Sequence, residues 1–405
     1  MSRRVSGLTG LMSLMVLGLV LAMAPGCTHG RGFYGFHWSY CKFFGYPKLL
    51  DCIAPPPADL FVLPPVREPD DNPASKEKAE LGKLLFFDER LSSTGKVSCA
   101  TCHAPEKAFA DRPNRVSKGI KDQKGRRNAP TALNSAFYRF LFWDGRAASL
   151  EAQAEAVLKN DKEMGPEADL DARVARLNRD PDTRARFERA FGSPEVTVPR
   201  IAMALATFER TLILGKTAFA RWVEGKEPMP SWSAERGWEV FRSEKAQCAN
   251  CHTPPLYHDN NFHIIGIPRH PADKPDLGRY EHLSRQTARG NLVKPQEADS
   301  SKCAFKTPTL LHVAGTDPYM HDGTLETLED VVAFYARFNP DASYARTDSQ
   351  ADEQECGTLD EKIVKIKGML APDEQMDLVE FLRSLSPTAG VYREFLDNLG
   401  LPSGH

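Results

Sequence analysis

The segment Cys99-Ala100-Thr101-Cys102-His103 follows a pattern, Cys-x-x-Cys-His, that returns in Cys248-Ala249-Asn250-Cys251-His252. This is the attachment sequence of c-type haem, because two thiols on one helical turn can reach both vinyl groups of a porphyrin while the adjacent histidine binds the iron. Zinc is the weaker interpretation, since it would require the two cysteine pairs to converge and would leave both histidines unexplained. The sequence thus predicts two covalently bound haem c groups. The attaching residues would be Cys99, Cys102, Cys248 and Cys251, and the axial iron ligands His103 and His252.

The sequence around the two motifs also repeats. Gly82-x-x-Leu85-Phe86 precedes the first motif and Gly237-x-x-Val240-Phe241 precedes the second, each within a pattern typical of an amphipathic helix. Two later segments, Pro199 to Leu214 and Pro372 to Leu385, begin with proline at a helical N-terminus and predict a core helix for each half. We therefore expect a mainly α fold with two cytochrome c-like helical haem domains.

Length and composition agree with two domains. The chain has 405 residues, 41% of them hydrophobic, and a single core rarely serves more than about 250–300 residues. The formal net charge of −2 removes the main argument for nucleic-acid binding, which needs a basic surface, so no nucleic acid is expected as a partner. The predicted division is a signal peptide at 1–27, an irregular arm at 28–75, a first haem domain at 76–220, a second at 221–390 and a tail at 391–405.

The N-terminus has the layout of a secretory signal peptide. Arg3 and Arg4 precede an uncharged run over 8–24, which is followed by Cys27. This predicts export to the periplasm. Three outcomes remain open: a lipid attached to Cys27 that anchors the protein to the membrane, ordinary cleavage nearby, or an uncleaved anchor, because the apolar run is at the lower limit for crossing a bilayer.

The segment 104–128, which follows the first motif, contains neither histidine nor methionine. A haem iron with a strong ligand on both faces passes electrons, whereas one with an open face can bind and activate peroxide. The first iron is therefore expected to lack a strong sixth ligand. The alternative is a ligand from elsewhere in the chain, for which His258, His263 and His270 are the candidates.

Several stretches between residues 76 and 386 resemble, in order, the bacterial dihaem cytochrome c peroxidase family, which includes the MauG-type enzymes that mature protein cofactors. These stretches are Leu81-Gly82-Lys83-Leu84-Leu85-Phe86-Phe87-Asp88, Arg127-Asn128-Ala129-Pro130-Thr131, Phe142-Trp143-Asp144-Gly145-Arg146-Ala147, Lys306-Thr307-Pro308-Thr309-Leu310 and Pro318-Tyr319-Met320-His321-Asp322-Gly323. The resemblance implies a catalytic haem in the first domain and an electron-transfer haem in the second.

The resemblance also implies roles for particular side chains. Trp143 would relay electrons between the haems, while Gln153 and Glu163 would line the peroxide pocket. A carboxyl beside an apolar haem face has a raised pKa and can move a proton between peroxide oxygens, and an amide can orient peroxide without charge. Without the resemblance, the three would be a core aromatic, a helix-surface amide and a surface glutamate. One calcium ion is implied as well, bound by Asn128, Thr316 and the carbonyl of Pro318.

Two positions resemble the MauG type rather than the reductively activated peroxidases. No histidine stands a few residues before Arg127, where those peroxidases carry one that blocks the catalytic iron at rest. Tyr335 occupies a position where many of them carry methionine, and the resemblance makes it the axial ligand of the second iron. The alternatives are a buried core tyrosine, or Met320 or His321 as the ligand, with His321 otherwise expected beside the second haem.

The spacing around Tyr335 is compatible with a ligand role. Leu328, Val331, Val332 and Tyr335 share one face of a predicted helix, so the phenol would reach the second iron if this face meets the haem. An anionic oxygen ligand would stabilise the ferric state.

Five of the nine cysteines lie outside the haem motifs. Cys41 and Cys52 lie in the arm, where an oxidising compartment favours a disulfide, with two free thiols as the alternative. Cys303 and Cys356 flank the predicted helix over 328–335, and a disulfide between them would brace the second haem pocket. Cys27 is then left over, which favours lipidation.

These features together predict a periplasmic dihaem c-type peroxidase. Hydrogen peroxide would be reduced at the haem of His103, with electrons relayed through the second haem from a small cytochrome c or a copper protein. A MauG-like alternative takes the electrons from residues of a partner protein and so modifies that protein. An alternative of another class is a non-catalytic dihaem electron-transfer cytochrome, in which both irons would be six-coordinate.

Overall fold

The computed structural model describes residues 56–267, 274–289, 291, 293–336, 356, 359–361 and 370–402. The predicted signal peptide, Cys27, the Cys41–Cys52 pair and His270 lie outside the described residues. Within these residues, no helix is long and apolar enough to cross a membrane.

The described residues form mainly α-helices, joined by loops and short 3₁₀ turns. In chain order, the helices are α1 (Lys76–Phe86), α2 (Cys99–Cys102), α3 (Leu150–Leu158), α4 (Leu170–Asn178), α5 (Pro181–Phe191), α6 (Val198–Glu209), α7 (Ala218–Val223), α8 (Trp232–Arg242), α9 (Arg279–Ala288), α10 (Pro295–Asp299), α11 (Leu328–Ala336), α12 (Pro372–Ser384) and α13 (Ala389–Asn398). Two short strands, β1 (Phe262–His263) and β2 (Phe305–Lys306), pair antiparallel. The mainly α fold predicted from the sequence is confirmed.

Each half is built on one close crossing of two helices. Helix α1 crosses α6 at Gly82, where a Cβ atom would lie 1.9 Å from the carbonyl oxygen of Ala204. Helix α8 crosses α12 at Gly237, where a Cβ atom would lie 2.0 Å from the carbonyl oxygen of Asp377. Glycine alone allows the backbones to approach so closely, which explains why it stands at the same place in both halves.

The buried apolar side chains form two main clusters. The first contains facing residues of α1 and α6, among them Leu85 and Phe208. The second is rich in aromatic rings, and the ring of Phe381 on α12 lies 5.0 Å from those of Phe219 and Phe241. Full burial of one such side chain contributes about 1.5–3 kcal/mol. Each half thus has a hydrophobic cluster of its own.

The two ends of the described chain also contribute to these clusters. Leu396 of α13 and Leu401 are buried in the first cluster, and the Tyr392 hydroxyl donates a hydrogen bond to the Pro105 carbonyl at 2.5 Å. Phe61, from the predicted arm, packs in the second cluster. Residues 391–402, which lie in the segment predicted as a tail, therefore cover one side of the first cluster with apolar residues at helical spacing.

A disulfide braces the second half. Cys303 and Cys356, the pair expected to bond, are joined with their Cα atoms 5.3 Å apart. The N–H of Asp360 donates to the carbonyl of Ile264 at 3.0 Å. Asp360 is thereby held beside β1.

Candidate functional site

The first Cys-x-x-Cys-His segment lines a cavity of about 660 Å³ in the first half. Cys99, Cys102 and His103 all border it. The Nδ1–H of His103 donates to the carbonyl oxygen of Phe109 at 3.0 Å, because a carbonyl can only accept. Nε2 is left to bind a metal, and burial lowers the pKa of the ring, which favours the neutral form that coordinates.

The second segment lines a smaller cavity, of about 220 Å³, in the second half. Cys248, Cys251 and His252 border it. The Nδ1–H of His252 donates to the carbonyl of Tyr257 at 2.9 Å, and burial again lowers the pKa of the ring. In both cavities two thiols and one oriented imidazole face a largely apolar space, so the donor set fits haem c.

Matching loops and helices build the two cavities. Asp-Gly pairs at 144–145 and 322–323 each precede a helix by the same number of residues, so α3 and α11 correspond residue by residue. In this register Gln153 corresponds to Val331, and Val157 corresponds to Tyr335; all four line their cavities. The two halves therefore differ at a few corresponding positions of one shared scaffold.

Two polar side chains predicted for the peroxide pocket both line the first cavity. Gln153 lies on α3 and Glu163 in the loop that follows it. Oε1 of Glu163 accepts a hydrogen bond from Nδ2 of Asn160 at 2.7 Å, and the carbonyl of Glu163 accepts one from the N–H of Ile120 at 3.1 Å. Burial raises the pKa of the Glu163 carboxyl, while Arg146 acts in the opposite direction. The carboxyl can therefore hold and release a proton.

Trp143 borders both cavities. Its Nε1–H donates to the carbonyl of Asn128 at 2.9 Å, and its own carbonyl accepts from the N–H of Lys306 at 2.8 Å. The ring is thus fixed by backbone groups that line the wall between the cavities.

An arginine network supports the same wall. Arg127 bonds Asp144 at 2.7 Å and Asp276 at 2.7 Å, and all three side chains are largely buried. Arg146 binds the other oxygen of Asp144 at 3.0 Å and lies over the ring of Phe142. Asp276 is not among the predicted site residues, because nothing in its local sequence indicates a partner so distant along the chain.

Alternative ligands for the first iron lie elsewhere. His258 does not line the first cavity, and its ring stacks on Tyr138 at 4.5 Å. His263 lies between Asp259 and Asp360, at 2.8 and 2.7 Å. Burial lowers the pKa of its ring, but Asp259, the Cys251 thiol and Asp360 together raise it above its usual value.

His103 and Met164 are the histidine and methionine side chains that line the first cavity in the described part of the chain. Met164 is not among the predicted ligands.

The predicted ligand face of α11 borders the second cavity. Leu328, Val331, Val332 and Tyr335 all line it, together with Met320 and His321. The ring of His321 stacks on Phe305 with centroids 3.7 Å apart. Burial raises the pKa of the Tyr335 phenol. The structure therefore gathers all three candidate ligands, Tyr335, Met320 and His321, in one cavity with His252.

The residues expected to bind calcium lie along the same cavity. Asn128, Thr316 and Pro318 all line it. Nδ2 of Asn128 donates to the carbonyl of Arg115 at 3.2 Å, which leaves Oδ1 available, and the Thr316 hydroxyl donates to the carbonyl of Val313 at 3.1 Å.

Glu209, the last residue of α6, also lines the first cavity and is only 8% exposed. It is not among the predicted site residues. A signal was present in the duplication, since Phe208-Glu209-Arg210-Thr211-Leu212 corresponds to Phe381-Leu382-Arg383-Ser384-Leu385. In this alignment, Glu209 of the first half corresponds to Leu382 of the second.

The sequence and the fold are both similar to those of known proteins. A model of the di-haem cytochrome c peroxidase family matches residues 76–228. The methylamine utilization protein MauG of Methylophilus methylotrophus is 37% identical over 332 residues, 82% of this chain and 89% of that protein. The cytochrome-c peroxidase IdrP1 of Denitromonas iodatirespirans is 36% identical over 346 residues, 80% of this chain and 86% of that protein.

Among solved structures, a MauG-like protein associated with microbial copper homeostasis is similar with a TM-score of 0.67 and 31% identity, over 81% of this chain and 95% of that chain. Its coverage includes both halves of the described fold. The chain therefore belongs to the dihaem cytochrome c peroxidase family, which includes the MauG proteins.

Proposed function

We propose that this chain reduces hydrogen peroxide in the first cavity and receives electrons through the second. One observation carries the proposal. Both cavities present the same haem-attaching residues, but among the described residues the amide of Gln153 and the carboxyl of Glu163 line the first cavity alone, which is also the larger. The two cavities therefore suit different chemistry.

The reaction consumes two electrons and two protons for each peroxide: H₂O₂ + 2e⁻ + 2H⁺ → 2H₂O. A haem held by Cys99, Cys102 and His103 would supply an open iron face for peroxide and the electrons for its reduction. Glu163 holds a proton, because burial raises the pKa of its carboxyl. It donates this proton to the leaving peroxide oxygen, and its carboxylate then accepts the proton of the other peroxide oxygen. The amide of Gln153 orients peroxide by hydrogen bonding and adds no charge.

Trp143 is the proposed electron relay between the halves. Its indole borders both cavities, and the hydrogen bonds to Asn128 and Lys306 fix it there. A small cytochrome c or a copper protein supplies the electrons at the second half.

Tyr335 is the proposed axial ligand of the second iron. It lies on the face of α11 that lines the second cavity with His252. Burial raises the pKa of its phenol, so the residue is protonated unless a cation replaces the proton. A phenolate would favour the ferric state of that iron.

Tyr335 also favours a second candidate function. A ferric-stabilising ligand makes oxidation beyond the ferric state easier to share between the haems, as oxidative maturation of a partner protein requires. In this candidate the electrons come from side chains of the partner, and the similarity to MauG of Methylophilus methylotrophus supports it.

Calcium and cell location complete the proposal. A calcium ion held by Asn128, Thr316 and the Pro318 carbonyl would tie the loop at 316–318 to the wall between the cavities. The N-terminal sequence supports export to the periplasm, with a lipid at Cys27 as an anchor.

The test is to add one equivalent of peroxide to the diferric protein without any reductant. We expect rapid absorption changes of both haems, and then oxidation of two reduced small cytochromes c for each peroxide. Failure to react until the protein has gained one electron would overturn the open first site. Failure under both conditions would make the chain a non-catalytic cytochrome, and oxidised partner residues without cytochrome oxidation would favour the MauG-like candidate.

A further inference from the structure

The first cavity contains a buried carboxyl that the proposed peroxide chemistry does not use. Glu209 ends α6, is 8% exposed and lines the cavity beside the haem-attaching segment. Its charge acts on Cys99: burial raises the pKa of that thiol most, and Glu209 raises it further. The carboxyl therefore lies close to the edge where a haem would be attached.

No hydrogen bond or ion pair in the described part of the chain satisfies this carboxyl. The adjacent guanidinium of Arg210 binds both oxygens of Glu151 on α3, at 2.7 and 3.0 Å. A buried carboxyl without a hydrogen-bond donor is costly when ionised, so it keeps its proton unless a positive charge approaches. Burial raises the pKa of Glu209 to about 8, with Arg210 lowering it and Glu151 raising it.

The other charged side chains of the neighbouring helices α1 and α3 bind other partners or are exposed. On α1, Nζ of Lys78 donates to Asn72 and Pro73, and Nζ of Lys83 donates to the carbonyls of Leu399 and Gly400. Glu77 and Glu80 of α1 are exposed, and Glu155 of α3 binds Lys159. Glu163 lines the same cavity, but it does not contribute to the pKa shift of Glu209.

The duplication shows that the fold does not need this carboxyl. The crossings at Gly82 and Gly237 bring Phe208 and Phe381 into the same position, with a glycine Cβ 2.9 and 2.7 Å from their Cβ atoms. The next residue is Glu209 in the first half and Leu382 in the second, and each lines its cavity. A leucine packs there without difficulty, so the glutamate requires another explanation.

We propose that Glu209 couples the reduction of the first haem to the uptake of one proton. The balanced step is ferric haem with Glu209 carboxylate + e⁻ + H⁺ → ferrous haem with Glu209 carboxylic acid, with the electron from the donor protein and the proton from solvent at the cavity mouth. An anion in the haem cavity stabilises the ferric state, and its protonation removes that stabilisation. The inference rests on the proposed haem in the first cavity, and it does not depend on peroxide reduction.

The test is the reduction potential of the first haem in the full-length dihaem protein, measured by spectroelectrochemistry from about pH 6 to about pH 9. In the wild type, the potential should fall as pH rises, by up to about 59 mV for each tenfold fall in proton concentration. Glu209→Gln, which keeps the shape and loses the charge, should reduce this slope. Glu209→Leu, which copies the second half, should do the same.

Two further variants make the result specific. Glu155→Gln removes an equal charge outside the cavity and should keep the wild-type slope. Leu382→Glu places the carboxyl in the second half and should give the second haem a pH-dependent potential. An unchanged slope in Glu209→Gln would overturn the inference, even if peroxide turnover persists. If Glu209→Gln reduces the slope of potential against pH but the wild type does not turn over peroxide, the inference is supported and the proposed function is overturned.

Discussion

The two halves hold their haem-attaching residues alike and differ in what lines the rest of each cavity. The Nδ1–H groups of His103 and His252 donate to backbone carbonyls at 3.0 and 2.9 Å. At one corresponding position, the first cavity has Val157 and the second has Tyr335. The duplicated scaffold preserves attachment and packing, while a few lining residues differ between the cavities; under the proposed function, these residues separate catalysis from electron transfer.

Replacing Val157 by tyrosine would make the first cavity resemble the second at this position, and we expect it to have the largest effect. Because Val157 corresponds to Tyr335, we expect Val157→Tyr to bring a phenol into the first cavity and to abolish the reaction with peroxide. Stopped-flow absorption of the diferric variant measures this. Val157→Ile, which stays apolar, should keep the reaction, and a Val157→Tyr variant as fast as wild type would refute the correspondence.

Removal of the charge at Glu163 should have the next largest effect. We expect Glu163→Gln to lower kcat/KM for peroxide by about 10²–10⁴-fold, the usual contribution of a positioned acid–base group. Glu155→Gln is the matched control, because that carboxyl is outside the cavity and binds Lys159. Equal kcat/KM values in the two variants would show that Glu163 is not an acid–base group in the reaction.

The pH dependence of the wild-type reaction tests whether Glu163 acts in its protonated form. Burial raises the pKa of Glu163, so its carboxyl is protonated below that pKa and loses the proton above it. If the protonated form donates to the leaving oxygen, kcat should fall as pH rises through the raised pKa. The pH profile of Glu163→Gln should lack this limb, and an identical limb in both proteins would assign it to another group.

Tyr335→Phe should affect the second half and spare the first. We expect a changed absorption and electron paramagnetic resonance (EPR) signal of the second haem, with the signal of the first haem unchanged. Spectra of the diferric variant provide the measurement. A second-haem spectrum equal to wild type would make Tyr335 a packing residue and leave Met320 and His321 as the candidate ligands.

The helix crossings should be equally sensitive in the two halves. Gly82→Ala and Gly237→Ala each force a Cβ to about 2 Å from a carbonyl oxygen, so we expect each to lower the free energy of unfolding by about 1–3 kcal/mol. Gly390→Ala, where a Cβ would meet nothing within 4 Å, is the control and should stay within about 0.5 kcal/mol of wild type. Denaturant titration measures all three, and a tolerant Gly82→Ala would show that the crossing can relax.

The sequence was sufficient where chemistry depends on local spacing. Two Cys-x-x-Cys-His segments indicated both haem sites, and helical periodicity placed Tyr335 on the face of α11 that lines the second cavity. The mainly α fold followed from the same periodicity. Spacing along one helix is enough here because the side chains of one face meet the same cavity.

The sequence was insufficient where a residue depends on distant neighbours. The packing of 391–402 on the first cluster involves a contact between Tyr392 and Pro105, which no local pattern indicates. Asp276 binds Arg127 across a long separation in the chain, and the burial of Glu209 follows from the crossing of two helices. Alignment of the two halves alone could have indicated Glu209, through its contrast with Leu382.

The EPR spectrum of the resting diferric protein shows directly whether the first iron is open. We expect one high-spin signal from the open first haem and one low-spin signal from the second, in equal amounts, with cyanide removing the high-spin signal alone. Two low-spin signals that cyanide leaves unchanged would contradict the account, because neither cavity would then have an open iron for peroxide.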